Sequence, residues 1–349
     1  MANRSTLTPD DVLKTIYLGE DADAFFNQCL FPLSDLQYQF LINQEGHGTI
    51  YESVKALLKD FGEPEDQEAY QTLLEEDFIS IQAQKVEDYA SNPYGKLLSS
   101  IGDYDHNHVH FSFYIVRPYA FFLLDDKKIV DGINDVSPLG YFTECYDTWI
   151  LYKDGSPWMS LLPHEINTMK DPINRAHGRV ATLGLGLGYY AYMVSMKDEV
   201  ISVDVFEKDP SIIQFFTETL LSKFPHKEKI HIHFENAFNY PSHGPYDYVF
   251  ADLWHNADDA LPLYLRLLKI EPKDTEIDYW IETTILAYAR RFIAPFLASE
   301  EEREETFYDL EGPQKKIFGK FEKAFKGKSK EEIASLHDLR ALRAFLYTL

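Results

Sequence analysis

The sequence predicts an α/β fold, in which a Rossmann-like parallel sheet follows a helical N-terminal region and a small β subdomain and precedes a helical C-terminal tail. Two observations carry this prediction. From residue 179 onward, short apolar runs alternate with amphipathic segments, which is typical of parallel strands joined by helices. The stretch VATLGLGLGYY (180–190) then places Gly184, Gly186 and Gly188 directly after the first apolar run, which indicates a tight strand-to-helix turn.

Composition narrows the classes of function. At 349 residues with 45% hydrophobic residues, the chain is long enough for two or three domains and can bury a sizeable core. Its net charge of -24 argues against a nucleic-acid partner, because binding to a phosphate backbone requires clustered Lys and Arg. No run approaches the roughly 20 apolar residues of a membrane span. Cys29 and Cys145 form no disulfide framework or zinc pattern. We expect a cytoplasmic protein with a neutral or cationic small-molecule substrate or a protein partner.

The residue pattern divides the chain into four regions. Residues 1–100 show apolar residues at helical spacing and predict a helical N-terminal region. Residues 101–162, rich in aromatic and β-branched residues, predict a small β subdomain. Residues 163–290 predict the sheet domain, and residues 291–349 predict a helical tail. The helical stretches predicted in the first region include GTIYESVKALLKDFG (48–62) and EDQEAYQTLLEEDFISIQAQKVEDYA (65–90).

Within the sheet domain, PHEINTMKDPINRA (163–176) predicts a helix whose Pro163 suits the first helical position. Asp209 and Pro210 mark the N-cap and first residue of the helix that follows the second strand. In such sheets ligands bind outside the carboxyl ends of the strands. The predicted strands are RVATLGL (179–185), VISVDVFE (200–207), KIHIHFE (229–235) and YDYVFADLW (246–254). The candidate site residues at their ends are Gly184, Gly186, Glu207, Asn236 and Asp252.

The glycine spacing separates two classes of cofactor. A dinucleotide fingerprint, GxGxxG, requires its third glycine where this chain has Tyr189, whereas the third glycine here is Gly188. The pattern GxGxG is that of class I S-adenosylmethionine enzymes. Glu207, about twenty residues later, can bind ribose hydroxyls. The alternative is a tight turn with a solvent-facing Glu207.

From Trp158 to Lys269 the chain resembles the spermidine synthase-like branch of class I S-adenosylmethionine-dependent methyltransferases and related transferases. The stretch LPHEINTM before GRVATLGLGLG is similar to that family's YHEM helix before its glycine loop. VDVFEKD, ENAF and YDYVFADLW resemble its ribose-binding, adenine-binding and catalytic strand ends. The resemblance implies S-adenosylmethionine as cofactor and Asp252 as the catalytic aspartate. It implies cofactor binding by Gly184, Gly186, Gly188, Glu207, Asn236, Ala237 and His164, the last from below the glycine loop.

The chain departs from the polyamine synthases of that family at two places. Leu187 stands where they carry an acid inside the glycine loop, and Asp252 is followed by Leu253 rather than by a paired acid. Without those carboxylates the ammonium groups of a diamine would be poorly paired. The tail after residue 290 predicts helix, so the antiparallel strand pair that usually closes a methyltransferase sheet is not expected.

These patterns predict a methyltransferase-like enzyme acting on a small molecule. We expect Asp252, with His255 near it, to position or deprotonate the acceptor, and Trp254 and Tyr189 to contact the substrate. For Trp254 core packing is an equal alternative. Aminopropyl transfer to an amine and a non-catalytic nucleoside-binding protein, whose N-terminal region binds a partner, are the other functions considered. The sequence leaves open whether that region regulates the enzyme or forms a homodimer.

Two polar features have structural alternatives. His106, His108 and His110 alternate in DHNHVHF and would share one strand face, a geometry that can bind zinc, although no further ligands are in register and no metal is expected. Asp252 is alternatively the cap of the helix that starts near NADDALPLYLRLL, for which Asn256 is a competing residue.

Overall fold

The computed structural model describes residues 7–29, 79–130 and 134–349 of the chain. Helix α1 (Pro9–Cys29) begins after Thr8, and the side chains of Thr8 and Asp11 each accept a hydrogen bond from the other residue's backbone N–H. The predicted helical stretch 48–62 lies outside the described residues.

Strands dominate the chain between residues 79 and 162. They form two sheets, one with order β1-β6-β4 and with β5 also paired to β6, the other an antiparallel sheet with order β2-β3-β7-β8. In chain order the elements are β1 (Ile79–Gln84), α2 (Val86–Ala90), α3 (Pro93–Leu98), β2 (Tyr104–His106), β3 (Val109–Val116), β4 (Phe122–Leu123), β5 (Lys128–Val130), β6 (Asn134–Phe142), β7 (Tyr146–Lys153) and β8 (Ser156–Ser160).

Strand β1 corrects the prediction that residues 65–90 are helical throughout. It pairs in parallel with β6, placing Ile79 opposite Ser137 and Gln84 opposite Phe142. In ISIQAQ apolar and polar residues alternate with a period of two, which favours a strand once a distant partner supplies the hydrogen bonds. The helical period of the flanking residues obscures that short pattern in the sequence.

The domain that follows confirms the predicted parallel sheet. The strand order is β11-β10-β9-β12-β13, and every pairing in it is parallel. Its elements are α4 (Pro163–Thr168), α5 (Lys170–Arg175), β9 (Gly178–Leu183), α6 (Tyr189–Ser195), β10 (Val200–Glu207), α7 (Pro210–Phe215), β11 (Ile230–Phe234), β12 (Tyr248–Ala251), α8 (Ala257–Leu267), β13 (Glu276–Tyr279) and α9 (Glu282–Arg290).

Local details of this domain differ from the sequence predictions at two places. The helix predicted over 163–176 is two short helices that meet at Met169. Strand β13 was not predicted, because EIDY is short and carries two acids; it forms by pairing with the buried strand β12. At Asp209 the prediction holds, since its carboxylate accepts hydrogen bonds from the N–H groups of Ser211 and Ile212.

The tail consists of helices that pack on one another and on helices of the sheet domain. Phe296 stacks on Phe318, with 5.1 Å between the ring centroids, and Arg343 donates a 2.7 Å hydrogen bond to Glu282. The described residues include no helix long and apolar enough to cross a membrane. The tail helices are α10 (Ala294–Leu297), α11 (Glu300–Asp309), α12 (Gly312–Phe325), α13 (Lys330–Ala334) and α14 (Leu339–Leu346).

A buried ion pair joins the β1-β6-β4 sheet to the sheet domain. Arg290, at the end of α9, is 3% exposed and donates a 2.7 Å hydrogen bond to Asp135 in β6 and another to the carbonyl of His337. Burial raises the pKa of Asp135, while the positive charge of Arg290 opposes that rise. The pair therefore couples three parts of the chain that are distant in sequence.

We predict that Arg290→Met lowers the free energy of unfolding by about 3 kcal/mol, because it leaves the Asp135 carboxylate buried without its main partner. Urea denaturation followed by circular dichroism measures this loss. The matched control is Arg303→Met, which removes an arginine whose partner Glu300 is exposed and which should cost about 1 kcal/mol or less. Equal losses in the two variants would contradict the role given to the buried pair.

Candidate functional site

A cavity of about 460 Å³ opens at the carboxyl ends of β9, β10 and β12. This volume is typical of sites for small organic molecules. Strand β8 of the neighbouring sheet closes it from one side with Trp158 and Met159. The predicted site residues that line the cavity are Gly184, Gly186, Glu207, Asn236, Ala237, Asp252, Trp254 and His255.

The turn after β9 is set by a close approach of two strand ends. Gly184 has a φ of +100°, and a Cβ at this position would collide with the backbone carbonyl oxygen of Asp252. The backbone N–H of Asp252 donates a 2.9 Å hydrogen bond to the carbonyl of Leu183. Because only glycine tolerates both the dihedral angle and the contact, Gly184 fixes Asp252 beside the glycine turn.

Gly186 makes its close approach to protein rather than leaving space for a ligand. Its φ is +50°, and a Cβ there would collide with Sδ of Met159 from strand β8. The same sulfur accepts a 3.3 Å hydrogen bond from the N–H of Leu187. The thioether therefore covers part of the glycine turn, a contact that the sequence pattern did not reveal.

Gly188 and Tyr189 lie behind the turn, away from the cavity wall. Gly188 has a φ of +81° and precedes α6, and a Cβ there would collide with the ring of Phe216. Tyr189 is buried, and its hydroxyl accepts a 3.2 Å hydrogen bond from Asn92. Gly188 therefore packs against Phe216, and neither Gly188 nor Tyr189 lines this cavity.

Glu207 ends strand β10 and is held by backbone donors. Its carboxylate accepts hydrogen bonds from the N–H groups of Leu185 (3.1 Å), Lys208 (2.7 Å) and Asp209 (2.8 Å). The bond to Leu185 joins the acid directly to the glycine turn. Glu207 is therefore not a freely solvated side chain, since its position is fixed against both strand ends.

Asn236 and Ala237 follow β11 on the same side of the cavity. Asn236 accepts a 3.1 Å hydrogen bond from the N–H of Phe238 and caps the 3-10 turn that starts at Ala237. Phe238 also lines the cavity, and the guanidinium of Arg266 lies 3.8 Å from its ring centroid. This side of the cavity is therefore an apolar slot with a polar edge.

Trp254 and His255 lie on the opposite side. Trp254 is buried and donates a 3.2 Å hydrogen bond to the carbonyl of Trp280, so it both packs in the core and lines the cavity. His255 is exposed at the rim, where its Nδ1 lies 3.2 Å from Oδ2 of Asp259 and its ring meets Trp158 edge-on at 4.5 Å. The imidazole is thus held by Asp259 and Trp158.

Two carboxyl groups in this cavity have altered acidity. Burial, and then the charge of Glu207, raise the pKa of Asp252 to about 7. Burial, and then the charge of Asp252, raise the pKa of Glu165 to about 8. The sequence analysis did not select Glu165, although it lies next to His164 in the helix that carries the family resemblance.

His164 itself is not part of the cavity wall. Its ring packs edge-on against Trp280, with 5.7 Å between the centroids, and burial lowers its pKa to about 4. His164 contacts a tryptophan that does line the cavity, and its predicted approach to the cofactor stays a prediction.

The three alternating histidines do not share a strand face. His106 ends β2 and His110 lies in β3, while Asn107 and His108 form the turn between them with φ values of 49° and 65°. The hairpin turn separates residues that a single strand would align. In the described part of the chain, no group of three or more His, Cys, Asp or Glu side chains is arranged to hold a metal ion.

Comparisons of this chain with known proteins find a similar solved structure but no matching family or curated protein. The solved structure of spermidine synthase from Thermotoga maritima is similar to this chain at 12% identity, covering 55% of this chain and 72% of that chain, with a TM-score of 0.30. At this TM-score the likeness carries no argument about the reaction of this chain.

The raised pKa of Asp252 predicts a pH-dependent stability. A carboxyl group with a raised pKa in the folded state stabilises the fold fully below its ordinary pKa of 3.8, and this contribution is lost as the pH rises through about 7. The free energy of unfolding of the wild type should therefore fall between pH 5 and pH 8. Asp252→Asn should make this fall about 2 kcal/mol smaller, as measured by urea unfolding at both pH values. The control, Asp198→Asn, changes an exposed acid and should keep the wild-type dependence. An Asp252→Asn variant with that same dependence would contradict the assignment.

Proposed function

We propose that this chain is an S-adenosylmethionine-dependent methyltransferase-like enzyme that acts on a small molecule. The observation that carries the proposal is the convergence of the Gly184 turn, Glu207 and Asp252 on one cavity at the carboxyl edge of a parallel sheet. Such an edge is where sheets of this class bind nucleotides. The cavity volume of about 460 Å³ suits a nucleoside together with a small acceptor.

The residues present fit a nucleoside that offers a ribose hydroxyl group. An ionised carboxylate has about four acceptor positions, and three backbone donors contact that of Glu207. One position is left for a ribose hydroxyl. Ala237, Phe238 and Leu263 supply apolar contacts for a base on the same side of the cavity.

S-adenosylmethionine, when bound, supplies a methyl group on a positively charged sulfur. Orienting the acceptor and excluding water can then account for much of the acceleration. Asp252 supplies the remaining function, because a carboxyl group with a pKa of about 7 takes up a proton efficiently near neutral pH. His255, held by Asp259, lies at the rim of the same cavity and can help to orient the acceptor there.

The alternative structural role of Asp252 as a helix cap is taken by another residue. Asn256 accepts hydrogen bonds from the N–H groups of Asp258 and Asp259, and Asp259 bonds back to the N–H of Asn256. This reciprocal capping box satisfies the start of α8 without the side chain of Asp252. Asp252 is therefore available for chemistry.

Aminopropyl transfer to an amine is a second candidate, because Glu165 brings a second carboxyl group to the cavity beside Asp252. The sequence showed no second acid following Asp252. Glu165 comes from helix α4, whereas Asp252 follows strand β12, and the carboxyl group of Glu165 could pair an ammonium group. Leu187, by contrast, still offers no counter-charge in the glycine turn.

We predict that S-adenosylhomocysteine binds with micromolar affinity and that Glu207→Gln weakens this binding about tenfold, roughly 1.4 kcal/mol, through loss of a charge-assisted hydrogen bond to the ribose. The amide oxygen can still accept from Lys208 and Asp209, so folding should persist. Isothermal titration calorimetry measures the affinity, and thermal melting checks the fold. Glu228→Gln, at an exposed acid, is the control and should bind like wild type. Absence of wild-type binding, or equal binding to the Glu207→Gln variant, would refute the cofactor assignment.

The two transfer reactions differ in the cofactor that they use. Decarboxylated S-adenosylmethionine carries an amine without the neighbouring carboxylate, and the turn offers that amine no acid at Leu187. We therefore expect S-adenosylmethionine to bind more tightly than its decarboxylated form in competition calorimetry. If the decarboxylated form binds tenfold tighter, about 1.4 kcal/mol, aminopropyl transfer becomes the preferred function.

A further inference from the structure

Glu165 is a cavity residue with an unsatisfied polar atom. It is the third residue of α4, and its Oε2 atom is buried with no hydrogen-bond partner among the described residues. A buried carboxyl oxygen without a partner costs free energy that folding does not recover unless a ligand or a shared proton compensates. Since Glu165 lines the cavity, a bound molecule can reach it.

The position of Glu165 relative to Asp252 follows from the sheet order. Strands β10 and β11 lie on one side of β9, and β12 and β13 lie on the other. Glu207 and Asn236 end the first pair of strands, whereas Asp252 and Trp280 follow the second pair. Glu165 contacts the same cavity, and the charge of Asp252 acts on it. The nucleoside side and the acceptor side of the cavity are therefore distinct. Helix α4, which carries Glu165, lies on the acceptor side, because Nε1 of Trp280 donates a 2.9 Å hydrogen bond to Thr168 and the His164 ring packs on Trp280.

The charges around this pair do not neutralise it. His164 precedes Glu165 on α4, and burial keeps the imidazole neutral at pH 7 by lowering its pKa to about 4. Glu207 adds a negative charge beside Asp252. The other charged or titratable side chains lining the cavity are Lys208, His255 and Asp259. Lys208 follows Glu207 on the nucleoside side, and His255 already contacts Asp259.

We propose that Glu165 and Asp252 act together as a carboxyl pair on the acceptor side of the cavity, with one carboxyl protonated and the other ionised, and that this pair binds an acceptor through its N–H or O–H group. The proposal rests on the proposed methyl transfer. Two like charges in a buried site cannot both persist, so the first proton is lost from the pair more easily than the second. The singly ionised pair accepts a hydrogen bond from the acceptor.

The transfer step balances with this pair as the base. The acceptor nitrogen or oxygen forms a bond to the methyl carbon, the carbon–sulfur bond breaks, and its electron pair remains on sulfur. The acceptor's proton passes to the singly ionised pair, which becomes neutral and later returns the proton to water. An acceptor without an N–H or O–H group, such as a thioether or a tertiary amine, has no proton for this pair to accept, so the pair favours acceptors that carry one.

Carboxyl NMR on the full chain tests the pair directly. With glutamate labelled with ¹³C at the side-chain carboxyl, we expect one wild-type signal to titrate with a midpoint near pH 8. This signal should be missing in Glu165→Gln, and its titration midpoint should be about one pH unit lower in Asp252→Asn. A wild-type protein in which no glutamate titrates above pH 6.5 overturns the pair without any variant. A Glu165 signal that does not move in folded Asp252→Asn also overturns it. Glu228→Gln should leave the signal unchanged.

Calorimetry adds a readout for the ligand side. S-adenosylmethionine is positively charged at sulfur and S-adenosylhomocysteine is not, so the former should release more protons from the pair at pH 7.5, as measured in buffers of different ionisation enthalpy. Glu165→Gln should reduce that difference by at least half. Binding of both nucleosides with equal proton release in wild type would overturn the pair's place beside the methyl group. If neither nucleoside binds, the proposed function fails, and the NMR titration still decides the pair.

Discussion

The close approach of the glycine turn to the end of β12 is the constraint on which the site depends. Residue 184 must be glycine, because a Cβ would collide with the carbonyl oxygen of Asp252 and the φ is +100°. That contact brings the first and fourth strands of the domain to one point. The bond from Leu185 to Glu207 adds the second strand. Three strand ends are thereby held together before any ligand is present.

Elements outside the sheet domain complete the cavity. Strand β8 contributes Trp158 and Met159, and Met159 packs on the glycine turn where Gly186 leaves room for its sulfur. Lys153, in β7, lies 4.7 Å from the Trp158 ring centroid and pairs with Asp209, the cap of α7. The antiparallel sheet is thus anchored to the parallel one by a cation and a thioether. Its position decides how much of the turn a ligand can contact.

Burial decides the chemistry of the acids in the cavity more than their number does. The chain carries a net charge of -24, and the acids of the cavity differ from exposed ones because they are enclosed. Enclosure raises the pKa of Asp252 to about 7 and that of Glu165 to about 8, which brings both groups into the range useful for proton transfer. His164, which precedes Glu165 in α4, is also buried, and burial keeps its imidazole neutral. Burial therefore retains protons on carboxyl groups and removes one from an imidazole.

The sequence by itself determined the features that depend on neighbouring residues: the alternation that predicts a parallel sheet, the glycine turn, Glu207 at the end of β10, and the cap at Asp209. These follow from local periodicity and from the residues that favour turns and caps, which depend on only a few adjacent positions. Only the tertiary structure decided that Glu165 lines the same cavity as Asp252, that Gly186 faces Met159, and that 79–84 and 276–279 are strands. Each of these depends on a partner that is distant in the sequence, and a contact of this kind produces no recognisable pattern in the neighbouring residues.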